Sequence, residues 1–180
     1  MGKKLQSNCE STALDRFLSG INESVFQTSL GIANIELINY LNDLLIRFVR
    51  IDIMRSSGIC EGAPSVQIFQ LLNKAEKSRG PEQRSLYQAI GDYTLFWSGM
   101  YPESLRRSRG KDCPDSLLDY TSHGKRSYAM ASRIDRTAQQ PTKQVLQCLS
   151  KQYDLCVFGL GEVRREWEQH CNDQSGNLIA

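Results

Sequence analysis

Apolar residues recur at helical spacing along almost the whole chain, and strand-like alternation over four or more residues is hard to find. Leu14, Phe17, Leu18, Ile21 and Val25 set the first period, and Ile38, Leu41, Leu45 and Phe48 set the strongest. Residues three and four apart share one helix face, so this pattern predicts amphipathic helices packed face to face. With β-branched residues scattered, the expected class is all-α, one domain of six to seven helices in bundle-like or orthogonal packing. A chain of 180 residues can bury a core without help from a metal or disulfide.

Punctuation residues divide the pattern. Ser11 or Thr12 caps a helix to about Gln27, with Gly20 and Asn22 as possible breaks. Asn34 caps a second, central helix to about Met54, after a turn at 29–33. A third covers Ser65 to Lys77. Pro81 suits the first position of a fourth, reaching Met100. Asp115 caps another to Ile134, and Pro141 opens the last, to about His170, where Gly159 and Gly161 mark a kink. The expected domain is 11–172, between a disordered N-terminus (1–10) and a disordered tail (173–180). Asp52 follows Phe48 by four, on the apolar side of the second helix, and as a buried carboxylate would require a partner.

The densest segment runs from Leu86 to Ala131. It holds seven aromatics, together with Gly91, Gly99 and Gly124 at helical positions. Glycine inside a helix costs roughly 0.5–1 kcal/mol against alanine. Accepting that cost repeatedly implies close helix crossings, with Tyr or Trp rings beside them, or a ligand approaching the backbone. Asp92, Tyr93, Trp97, Glu103, Tyr120, His123 and Lys125 are the candidate ligand-binding residues. Asp92 and Glu103 would form a polar cluster with Lys125 under the aromatics. The structural alternative has Asp92 bonding a tyrosine hydroxyl or helix end, and Glu103 complementing a helix N-terminus. Asp119 and His123, four apart, could form a carboxylate–imidazole pair suited to proton transfer.

No catalytic residue is assigned, because no phosphate loop, nucleophile elbow or catalytic dyad is present. No cofactor is expected, and with two histidines and no Glu-x-x-His pattern, no metal is expected either. The six cysteines form no Cys-x-x-Cys pair and are expected as reduced thiols in a cytoplasmic protein. No apolar run approaches a membrane span, and no secretory signal opens the chain. Between Ser104 and Arg136, eight Lys/Arg face four Asp, although net charge is only +2. Such a patch could attract an anion or nucleic acid, but no named nucleic-acid motif accompanies it.

Gly91-Asp92-Tyr93-x-Leu95-Phe96-x-x-Gly99-x-x-Pro102-Glu103, followed by Tyr120-x-x-x-Gly124-Lys125-x-Ser127-Tyr128, resembles a set of uncharacterised bacterial proteins. Tyr40-Leu41-x-x-Leu44-Leu45-x-x-Phe48 belongs to the same pattern, and together these cover about half the chain. The resemblance implies a bacterial cytoplasmic setting and carries no activity. The leading expectation is a non-enzymatic helical domain that binds a protein or small molecule, of unspecified oligomeric state. An enzyme or sensor with an aromatic-lined pocket is the second reading, and anion or nucleic-acid binding through 104–136 the third.

Overall fold

Thr12 opens the first helix, α1 (Ala13–Glu23), with a reciprocal cap. Its hydroxyl accepts the Asp15 N–H at 3.2 Å, while Asp15 accepts the Thr12 N–H at 2.9 Å. The computed structural model describes residues 12–56, 64–103, 119–134 and 141–176, with the side chains of 52–56, 64–67 and 172–176 left aside. Neither Gly20 nor Asn22 breaks α1. It widens after Glu23 into a π-helical segment (Ser24–Ser29), closed by the Leu30 N–H on the Val25 carbonyl at 3.0 Å. Gly31 then takes a left-handed φ of 65° to turn the chain.

Asn34 caps α2 (Ile35–Ser56), its side-chain oxygen accepting the Leu37 N–H at 3.1 Å. Leu37, Ile38, Leu41, Leu44, Leu45, Phe48 and Val49 bury a wide stripe of α2, as its periodicity predicts. Next come α3 (Pro64–Lys77) and α4 (Gly80–Met100). Gly80 (φ 60°) and Pro81 make the sharp entry to α4. The remaining helices are α5 (Tyr120–Arg133), α6 (Lys143–Lys151) and α7 (Tyr153–Gly176). The seven helices form one all-α domain without strands among the described residues. Asp52 and the expected cap Asp115 fall outside the described side chains and residues, as does most of the 104–136 basic stretch.

The last two helices differ from the expected single one. The chain bends at Gln152 (φ −104°, ψ 23°) rather than at Gly159 or Gly161. The pattern could not show this: Val145, Leu149, Tyr153, Cys156, Leu160 and Val163 keep helical spacing through the bend, and all are buried. Cys148 and Cys156 therefore lie on two different helices. Burial pushes the Cys156 thiol up to about 12, so it behaves as a small core hydrophobe.

Helix α4 is the centre. It packs on α2, α3, α5 and α7, and every residue from Ile90 to Trp97 is buried. Such enclosure needs close approach, and glycine supplies it. A Cβ on Gly91 would lie 2.7 Å from the Tyr128 ring, and one on Gly99 2.5 Å from Leu160 Cβ. One on Gly124 would enter the Tyr153 ring, and one on Gly159 the Phe26 ring. Tyr128 and Tyr153 are wholly buried, and both hydroxyls end on α4: Tyr128 on Asp92 at 2.8 Å, Tyr153 on Thr94 at 3.0 Å.

Gly20 is the contrast. A Cβ there meets nothing within 4 Å and the backbone is helical. Gly20→Ala is therefore expected to stabilise the fold by about 0.5–1 kcal/mol, read as a higher urea midpoint with an unchanged slope.

Candidate functional site

Three helices converge on one buried carboxylate. Asp92, 3% exposed, sits mid-way along α4. Tyr40 and Arg47 reach it from α2, seven residues and two turns apart, hence on one face. Tyr128 reaches it from α5. The Tyr40 and Tyr128 hydroxyls both donate to Asp92 Oδ1, while Arg47 donates to Oδ2 at 2.8 Å. Gln88, one turn before Asp92, donates to the Tyr40 hydroxyl at 3.1 Å. Both Asp92 oxygens are occupied, so charge-assisted bonds offset part of the desolvation of the carboxylate.

Burial pushes the Asp92 carboxyl above its ordinary value, against the pull of Arg47 and the two phenols. Burial, then the Asp92 charge, drives the Tyr40 and Tyr128 phenols far above theirs, so both stay protonated donors. This network forms one end of an open cleft of about 390 Å³. Tyr40, Arg47 and Gln88 line it from the Asp92 side. Glu36, Asn39 and Asp43 of α2 add polar groups, and Leu44, Pro141 and Val145 an apolar wall. Buried Arg84 donates to the Pro141 carbonyl at 2.7 Å and so fixes that wall to α4.

The residues singled out from the sequence are placed apart. Asp92 bonds tyrosine hydroxyls, as its structural alternative had it. Tyr93 and Trp97 are buried in an aromatic core cluster: Phe48 stacks on Phe96 with centroids 4.9 Å apart and meets the Tyr93 edge at 5.8 Å. Glu103 pairs not with Lys125 but with Arg164, at 2.7 and 2.9 Å, and Arg164 also covers the Tyr101 ring. Lys125 pairs with Asp154 at 2.7 Å. Tyr120 is buried at the start of α5. His123 lines a different groove, beside Phe69, Tyr87 and Arg126. Asp119 turns to cap α5, accepting the Ser122 N–H at 3.3 Å and the Ser122 hydroxyl. Lys125 and Glu103 are thus paired with residues other than Asp92, and His123 faces another groove.

Sequence reasoning missed Tyr40, Arg47, Gln88 and Tyr128 as one group. Two local signals were present, the seven-residue spacing of Tyr40 and Arg47 and the four-residue spacing of Gln88 and Asp92. The meeting of α2, α4 and α5 is a tertiary fact. Among the described residues no group of three His, Cys, Asp or Glu could hold a metal ion. No described helix is long and apolar enough to cross a membrane. Comparison with protein-family models, curated proteins and solved structures finds no match.

The carboxylates differ in their effect on acid stability. The Thr12 N–H, more than Arg50, holds Asp15 below the usual range, and Ser122 does the same for Asp119. Their contributions are complete above the unfolded value and are lost as pH falls through the folded one. Asp92 has the opposite sign: its contribution is complete below the unfolded value and lost as pH rises through the folded one. Urea midpoints of the wild type are expected to fall below the ordinary aspartate range. The variant D15N/D119N should flatten that limb, while Asp92→Asn should leave it in place.

Proposed function

We propose that this chain is a non-enzymatic cytoplasmic binding domain whose cleft beside the Asp92 network holds a small polar molecule. One observation carries the reading. A fully buried carboxylate is retained in the helical core where an apolar residue would be cheaper, and its partners Tyr40 and Arg47 are also cleft walls. The network fixes the rotamers of those walls before a ligand arrives, which lowers the cost of binding.

Binding fits the groups better than proton transfer does. Both Asp92 oxygens are engaged, and the phenols are held far above neutral pH. The Asp119–His123 pair that an enzyme or sensor would use is diverted, since Asp119 serves as a cap. Of the basic stretch, Lys125 is paired with Asp154.

The test compares protein purified gently with the same protein after unfolding, exhaustive dialysis and refolding. A co-purified ligand stabilises only the native state. The refolded protein should melt several degrees lower, and the small-molecule extract should restore the original Tm. Identical melting before and after, with no effect of the extract, would overturn the reading.

A further inference from the structure

A separate pocket of about 220 Å³ lies where α3 and α5 both pack on α4, and it shares no lining residue with the Asp92 cleft. Each helix turns one face toward it. On α3 these are Phe69, Leu72 and Glu76, and on α5 His123, Arg126, Ser127 and Met130, all at helical spacing. Tyr87 of α4 lines it between them. Packing does not account for three features of this lining. Ser127 is 2% exposed, yet its hydroxyl has no hydrogen-bond partner among the described residues. A helical hydroxyl ordinarily returns to the carbonyl one turn back, as those of Ser19, Ser85 and Thr94 do here. Arg126 is exposed and makes no ion pair or hydrogen bond among the described residues. Phe69, 61% exposed, is no scattered surface ring: it adjoins a concavity where Leu72, Tyr87 and Met130 are half-buried.

We propose that this pocket binds a small apolar monocarboxylate, its carboxylate held by the Arg126 guanidinium and the Ser127 hydroxyl, its apolar body against Phe69, Leu72, Tyr87 and Met130. The donors set the charge of the ligand. A guanidinium only donates and matches a carboxylate in its plane. The Ser127 hydroxyl adds a further donor, and the His123 ring carries an N–H in either protonation state. Glu76, on the opposite wall, repels a second negative charge and so selects a monoanion over a phosphate ester. A volume of about 220 Å³ suits a single ring or a short alkyl chain.

The experiment titrates isotopically labelled full-length protein with sodium phenylacetate at neutral pH and fixed ionic strength, following backbone amide shifts. Phenylacetamide, of the same shape and uncharged, is the control. A Kd of about 1 mM is expected for phenylacetate, and one at least about tenfold weaker for the amide. Arg126→Gln, at an exposed position that makes no bond in the fold, should abolish that preference and leave the amide affinity unchanged. Ser127→Ala, which removes only an unpaired hydroxyl from a helix, should weaken phenylacetate binding at least about threefold without lowering Tm. Asn39→Phe, which fills the Asp92 cleft, should bind phenylacetate as the wild type does, so this proposal and the reading of that cleft can fail separately. No saturable shift, equal affinity for the amide, a preference retained in Arg126→Gln, unchanged affinity in Ser127→Ala, or loss of binding in Asn39→Phe would each overturn the proposal.

Discussion

Asp92→Ala is expected to lower the unfolding free energy by about 3 kcal/mol, among the largest single-residue effects in this domain. Removing one member of a buried ion pair costs about 3–5 kcal/mol when the partner stays buried. Here Arg47 is half exposed, so it regains water and the effect falls toward the lower end of that range. The Tyr128 hydroxyl has no such escape: its side chain is wholly buried and loses its acceptor. Asp92→Asn keeps the shape and an acceptor for both phenols but turns an amide N–H toward Arg47. It should cost less, about 1–2 kcal/mol. Urea unfolding followed by circular dichroism ranks the two. Equal losses would mean that the Arg47 pair, not the phenol bonds, carries the energy.

Gly124→Ala is expected to cost about 3 kcal/mol, at the upper end of what overpacking does. The added methyl would enter the Tyr153 ring. That ring is wholly buried and tethered through its hydroxyl to Thr94, which itself bonds the Ile90 carbonyl at 2.9 Å. A rigid neighbour held by a hydrogen bond cannot shift cheaply. Shrinking the ring in G124A/Y153L should recover at least about 1 kcal/mol relative to the sum of the single effects. Gly20→Ala, the same substitution in open space, has the opposite expected sign. Destabilisation of both variants alike would show that helix propensity and packing have been misassigned.

The helices and the glycine joints were legible because both leave local marks. Spacing of three and four residues located α1, α2 and α4, and Thr12, Asn34 and Pro81 announced their starts. Gly91, Gly99 and Gly124 betrayed close crossings, because helical glycine without a packing reason is disfavoured. The bend at Gln152 was hidden because the apolar period runs through it. The polar clusters were hidden for a different reason. Glu103 and Lys125 are ordinary charges whose partners, Arg164 and Asp154, lie 61 and 29 residues away, and no spacing rule reaches that far. Asp92 stood out by its company on α4, yet its partners on α2 and α5 are fixed by helix packing. Asp119 reads equally as a partner for His123 or as a cap, and the bonds to Ser122 favour the cap.

Occupancy of the Asp92 cleft by a small molecule is open to direct mass measurement. Native mass spectrometry of gently purified wild type beside Asn39→Phe tests it most directly. Asn39 is exposed at the cleft wall, so the phenyl ring fills the cleft while the core is untouched. The expected result is a wild-type mass above the 20.4 kDa polypeptide that returns to it on denaturation, and a bare polypeptide mass for Asn39→Phe. A bare polypeptide in both proteins, or the same added mass in both, would contradict it.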